Sequence, residues 1–268
     1  MKKYLLLSSI LLILTACAST ATKSPPPTRE QQLKYQAYQI QNNYDIVQDE
    51  TKTWGDKGQL RVVAGLKQGS QEKPKDDARY VRITHRSHAV QGNALKAAAF
   101  VLSILAPSGY SHQSNTKYDL YGDALDGVDN QSLNTIYTPI KNYLFEQYGG
   151  KADKEYFPFL IAGKQLYLVY DKFTQDSKNE YQLVSEISFE KNNEDLNGRF
   201  VFNCQQSNAV KPLAEWEADN YKAVHEVSQQ YAEKCADILL TARRRQLAHS
   251  YAEPEKPAAA AAAAQKSE

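Results

Sequence analysis

Hydrophobic and polar positions follow different rhythms in different parts of this chain, and the C-terminal half is the most regular. In EYQLVSEISFEK, Tyr181, Leu183, Ile187 and Phe189 fall on one face, with Gln182, Glu186, Ser188 and Glu190 on the other. Period-two alternation of this kind marks a strand with one buried side. GRFVFNC follows the turn signal NNEDLNG, and it places Phe200, Phe202 and Cys204 on a shared face. Upstream, YFPFLIAGKQLYLVYDKF predicts two strands around Ala162-Gly163-Lys164, a hairpin signal. Together these stretches predict a four-stranded antiparallel meander. From about Pro212 to Leu247 the period lengthens. Val224, Val227, Tyr231, Cys235, Ile238 and Ala242 recur every three or four residues, which is the stripe of a long helix lying across the sheet.

The N-terminal half is less uniform. Residues Arg29 to Tyr44 predict a polar helix carrying Leu33, Tyr35, Tyr38 and Ile40. QLRVVAGL (Gln59 to Leu66) and RYVRITHR (Arg79 to Arg86) predict a short strand pair across a loop rich in Gly, Pro, Lys and Asp. Ala94 to Ala106 is apolar on all sides except at Lys96 and Ser103, and Pro107 and Gly109 close it. It is too short to span a bilayer, so it predicts a buried core helix, or else a partner-facing one through Phe100, Leu102 and Ile104. Asn130 to Gly150 reads as another helix, with Ile136, Ile140, Tyr143, Leu144 and Tyr148 as its stripe and Pro139 near its start. The predicted fold class is α+β: the meander with the long C-terminal helix packed on it, plus N-terminal helices and the short strand pair.

The extreme N-terminus has its own logic. Lys2 and Lys3 precede the apolar run Leu5 to Leu14, and Thr15 and Ala16 lead to Cys17. A charged start, an apolar run and small residues form a secretory signal. Leu14-Thr15-Ala16-Cys17 resembles the lipobox of bacterial lipoprotein precursors. That resemblance implies cleavage before Cys17, a diacylglycerol on its thiol, and an acyl chain on the new amino group. Ala18, rather than an aspartate, implies delivery to the outer membrane of a Gram-negative cell. The expected location is its periplasmic face rather than the cell surface, a choice that Ala18 does not make. Several acyl chains make a firm anchor where a single one holds only weakly. STATKSPPPTREQQ then predicts an extended proline-rich spacer, and AEPEKPAAAAAAAQKSE a low-complexity tail. The expected organisation is a signal at 1–16, lipidated Cys17 and tether at 17–30, one globular domain at 31–250 with a subdivision point near 151, and a tail at 251–268.

Composition narrows the function. Hydrophobic residues make up 42% and charged residues 24%, ordinary values for a globular domain. The net charge is +1, and loss of Lys2 and Lys3 takes it to −1, so nothing attracts the chain to nucleic acid. With Cys17 assigned to lipid, Cys204 and Cys235 remain, on apolar faces predicted to meet. In an oxidising compartment they are expected to pair, rather than stay as buried thiols.

No catalytic pattern stands out. His85 and His88 would point to opposite faces of a strand, and Ser111-His112 lacks a nucleophile elbow. Asp119, Asp123, Asp126 and Asp129 have the wrong spacing for a calcium loop and read as an acidic turn. Trp54 and Trp216 suit packing better than a glycan groove. Arg243, Arg244 and Arg245 close the long helix, where cations are favoured, and are a candidate surface for an anionic envelope partner. The expectation is a non-enzymatic binding or assembly module, without cofactor or metal, whose partners are the membrane through its anchor and an envelope protein or peptidoglycan. An envelope hydrolase with dispersed acids, and a structural part of a surface appendage or secretion assembly, are the alternatives.

Overall fold

The computed structural model describes residues 26–69, 77–87, 122–149, 151, 154–171, 179–195 and 198–252. The signal, Cys17, most of the tether, the Ala94 to Ala106 stretch with Phe100, Leu102 and Ile104, and the tail beyond Ala252 lie outside them; Tyr251, expected to begin the tail, is the buried last residue of the final helix. The described chain is α+β. In order it forms α1 (Arg29–Asn43), β1 (Tyr44–Thr53), β2 (Gly58–Lys67), β3 (Tyr80–Thr84), β4 (Asp123–Asp129), α2 (Tyr137–Tyr148), β5 (Lys154–Glu155), β6 (Phe159–Tyr170), β7 (Glu180–Asn192), β8 (Arg199–Gln206), β9 (Val210–Pro212), α3 (Leu213–Thr241) and α4 (Arg244–Tyr251).

All nine strands belong to one mixed sheet. Its axis is the antiparallel pair β6–β7, in register from Leu160 opposite Glu190 to Tyr170 opposite Tyr181. On the other edge of β6, β2 runs parallel beside residues Phe159 to Gly163 and β3 runs parallel beside Tyr167 to Val169. The outer edge of β7 is shared in the same way, by β8 along Ser185 to Asn192 and by β9 along Glu180 to Gln182. β1 and β4 close the far side as antiparallel partners of β2 and β3. The sheet therefore has two halves in series, and each has its own core.

Three expectations are corrected by this topology. The predicted hairpin at Ala162-Gly163-Lys164 is a bulge within the single strand β6, where the register with β7 shifts between Gly163 and Gln165. The apolar parity changes there, from Phe159 and Ile161 to Leu166 and Leu168. One extra residue reverses parity without reversing the chain, so the sequence reads alike for a bulge and a turn. The meander is consequently three strands, β6–β7–β8, rather than four. The predicted strand pair does not pair with itself, because β2 and β3 each take a different stretch of β6. Asp123 to Asp129 is the strand β4, with Gly127 at φ 73°, and not an acidic turn. β1, with mostly exposed positions, has no apolar alternation to betray it.

The helices begin and end for local reasons. Thr28 caps α1: its hydroxyl accepts from the Gln31 backbone N–H, while the Gln31 side chain accepts from the Thr28 N–H. α2 starts later than expected, at Tyr137, and Pro139 sits in its first turn, where a missing N–H costs nothing. The long C-terminal helix is not continuous. Asp219, Asn220 and Tyr221 have φ values of 51°, 56° and 61°, which separates a first turn from the main helix, and α4 follows Ala242 and Arg243 as a separate element.

α3 crosses both halves of the sheet on one face. Trp216, Val224 and Tyr231 join Val81, Ile83, Leu168 and Leu183 in the core of one half. Ala232, Cys235 and Leu239 join Val62, Ile161, Ile187 and Phe189 in the core of the other, which α2 and α4 complete through Ile140, Leu144 and Leu247. α1 covers the opposite face, where Ile40 packs on Val63, Leu160 and Ala162. Gly149 ends α2 against Trp54, and a Cβ there would lie 1.8 Å from the indole. Among the described residues no helix is long and apolar enough to cross a membrane.

Candidate functional site

Cys204 on β8 and Cys235 on α3 form a disulfide, with Cα atoms 5.8 Å apart and 31 residues between them in sequence. Alternation brought Cys204 to the core face of its strand, and helical spacing brought Cys235 to the core face of its helix. The bond pins the C-terminal part of α3 to an edge strand. Tying so long a loop restricts the unfolded chain and is worth about 3–4 kcal/mol on chain-entropy grounds.

Among the described residues, the fold builds two buried networks of charged side chains. The first lies at the end of the domain where the described chain begins and ends. Glu194, in the β7–β8 turn, is buried and accepts from three directions. Lys191 Nζ lies 2.5 Å from its Oε1, Arg29 Nη2 lies 2.5 Å from its Oε2, and the Phe157 backbone N–H donates to Oε1 over 3.2 Å. Lys191 Nζ also donates to the carbonyls of Asn192 and Ser250, and it sits 3.9 Å from the centre of the Tyr251 ring. Arg29 further donates to the Glu155 and Glu194 carbonyls and lies over the Phe157 ring. The Glu194–Lys191 pair thus joins the first turn of α1, through Arg29, to the last turn of α4, through the Ser250 carbonyl.

Burial pulls the Lys191 ammonium down to about 8, with the Arg29 and Lys154 charges adding to the effect and Glu194 opposing it. The Tyr251 hydroxyl is buried with no hydrogen-bond partner among the described residues, and burial raises it well above the ordinary tyrosine range. Tyr251 stacks on Tyr148 at 4.1 Å and meets Tyr156 edge-on at 5.7 Å. From Tyr148 the row continues to Tyr143 at 6.4 Å. Cations border these rings, with Lys151 over Tyr148, Lys154 over Tyr156 and Arg244 over Tyr143.

The second lies on the α1 side of the sheet. Glu190 accepts from Ser188 Oγ at 2.6 Å and from Arg199 at 2.6 Å, and pairs with Lys164 at 2.8 Å; Lys164 also donates to the Tyr44 hydroxyl at 2.7 Å. Burial would raise the Glu190 carboxyl, but the bonds from Lys164 and Ser188 and the neighbouring cations more than offset this and hold it low. A carboxylate committed to three donors is a crosslink rather than a base. Ser188 and Glu190, expected to face solvent, are therefore buried.

The sequence-derived candidates distribute as follows. Arg243, Arg244 and Arg245 are exposed, but they occupy the corner between α3 and α4 instead of ending one long helix. Arg243 lies over Phe202. Trp216 is fully buried and donates from Nε1 to the Tyr181 carbonyl, and Trp54 packs edge-on against Phe145 at 5.8 Å. His85 Nδ1 is 2.9 Å from the Tyr181 hydroxyl, while His88 is outside the described residues. Among the described residues no group of three or more His, Cys, Asp or Glu side chains is placed to hold a metal.

Arg29, Lys191 and Glu194 were not singled out from the sequence. For Lys191 a signal existed: it continues the odd-numbered face of Tyr181, Leu183, Ile187 and Phe189, where a cation requires a buried partner. Glu194 gave none, since acids are common in turns. Comparisons with protein-family models, with curated proteins and with solved structures find no match for this chain.

Proposed function

We propose that the protein is an outer-membrane lipoprotein, anchored through acylated Cys17 on the periplasmic face, whose α+β domain is a non-enzymatic binding or assembly module of the cell envelope. The observation that carries this reading is the Cys204–Cys235 disulfide. A disulfide between core positions belongs to an oxidising compartment, and it leaves Cys17, at the end of the LTAC motif, as the single cysteine outside a pair. Export and the lipobox then support each other. The reading of the domain as a binder rests on how its charged clusters are used: Glu190 and Glu194 each serve as the hub of a closed network.

The module reading is tested by crosslinking in intact cells, followed by identification of the adducts. The expected result is recovery of an envelope protein or peptidoglycan fragments. Peptidoglycan cleavage by the purified protein, with no envelope adduct, would overturn it in favour of the hydrolase.

A further inference from the structure

We infer that the end of the domain holding Arg29 and Tyr251 is a docking face for an anionic lipid surface, with Lys151, Arg243, Arg244 and Arg245 as its phosphate-binding cations and Tyr143 and Tyr148 as its interfacial rings. This deepens the anchoring proposed for Cys17 and rests on it, by adding a second, protein-borne contact with the same membrane.

The face is continuous. Arg244 lies 5.6 Å from the Tyr143 ring, Tyr143 lies 6.4 Å from Tyr148, and Tyr148 is 5.7 Å from the Lys151 ammonium. Tyr148 stacks on Tyr251, which lies over Lys191, whose partner Glu194 holds Arg29. Arg29, the first residue of α1, is thereby locked into the same end of the fold as the cations. Lys151 and all three arginines are exposed; the exposed acids at this end are Glu146 on α2, Glu155 on β5 and Glu30 on α1, and Glu30 is paired with Lys34. A guanidinium over a ring keeps outward N–H groups for a phosphate.

The chain length outside the described residues selects the occupant. Eight residues lie between Cys17 and Pro26, and these nine steps reach at most about 30 Å even when fully extended. An anchor at Cys17 therefore keeps the start of α1, and the end of the domain it is locked into, within reach of the headgroups. Tyr rings flanked by Lys and Arg are suited to that interface. Each cation at an anionic surface strengthens association about fivefold.

The test reconstitutes the purified acylated protein into vesicles of phosphatidylcholine, with or without about 30% phosphatidylglycerol, and follows amide exchange. Incorporation into neutral vesicles reads the anchor alone. The docking face is read by the difference between the two vesicles: exchange over 143–151 and 243–251 is expected to slow severalfold on anionic vesicles only. The slowing should vanish in 0.5 M salt and in an Arg243→Gln, Arg244→Gln, Arg245→Gln variant whose circular dichroism matches the parent. Equal exchange in both vesicles would overturn the docking face and leave the anchor standing. Failure to enter neutral vesicles would overturn the anchor, while sedimentation with anionic vesicles would still read the face. Equal protection by soluble polyphosphate would overturn the lipid assignment in favour of a polymeric anion.

Discussion

Lys191 occupies a position on β7 that its neighbours along the strand reserve for apolar side chains, and its surroundings answer that cost. Two carbonyls, one carboxylate and the Tyr251 ring enclose its ammonium. Their attraction does not fully offset desolvation, so its proton is held less firmly than in the unfolded chain. The sign of the pH dependence follows. Between pH 8 and about 10 the unfolded chain retains the lysine proton and the folded chain releases it, so this group alone makes stability rise with pH. The expected rise is on the order of 1–2 kcal/mol in urea melts, and it should be missing in Lys191→Met. Above pH 10 the trend reverses, because burial raises Tyr148, Tyr137 and Tyr251 and these ionise only after unfolding. A wild-type curve that is flat from pH 8 to 10, matching the variant, would contradict the buried cation.

Glu194 should matter more than Lys191, because it serves Lys191, Arg29 and the Phe157 N–H together. Glu194→Gln leaves two cations without their counter-charge and is expected to cost about 3–5 kcal/mol. Lys191→Met removes the buried charge along with its bond and should cost clearly less. Urea denaturation of the two variants checks the order, and a smaller loss for Glu194→Gln would show that Glu194 is not the hub.

At the scale of elements, α3 is held by two different devices. Toward its C-terminal end the disulfide ties Cys235 to β8, and replacing both cysteines by serine should cost about 3–4 kcal/mol in chemical denaturation. A loss below about 1 kcal/mol would mean that packing alone holds the helix. At its start the break at Asp219, Asn220 and Tyr221 places three side-chain-bearing residues in left-handed backbone. Asp and Asn tolerate that conformation better than most residues, and Asn220 is exposed. Asn220→Gly should leave stability unchanged or slightly higher, whereas Asn220→Val should lower it by about 1–2 kcal/mol. Equal thermal midpoints for the two variants would contradict the left-handed turn.

The same scale shows what the sequence made legible. Elements with an apolar run or stripe were readable: α1, β2, β7, β8 and the body of α3 fall where alternation, β-branched runs or helical spacing put them. Cys204 and Cys235 were readable for the same reason. β1 and β4 were not, because edge strands with polar residues on both sides carry no period-two signal. The β6 bulge imitated a turn, since Gly163-Lys164 interrupts the alternation in either case. Burial of Ser188 and Glu190 was unreadable locally. It depends on α1, Lys164 and Arg199, which reach β7 from distant parts of the chain.

At the scale of the whole molecule, the sheet pairings thread the chain so that its described ends meet. Arg29 at the start and Ser250 at the finish both address the Lys191–Glu194 pair. A domain hung from one end needs that end to be firm, and here the first turn of α1 is capped by Thr28 and ion-paired through Arg29. This arrangement fits the tethered module proposed above. The central claim concerns Cys17, and the mass of the mature protein tests it most directly. Wild-type protein is expected to lack residues 1–16 and to carry a diacylglycerol plus an acyl chain on Cys17, whereas Cys17→Ser should accumulate as uncut, unacylated precursor. A wild-type protein with an unmodified Cys17, or a Cys17→Ser variant that matures normally, would contradict it.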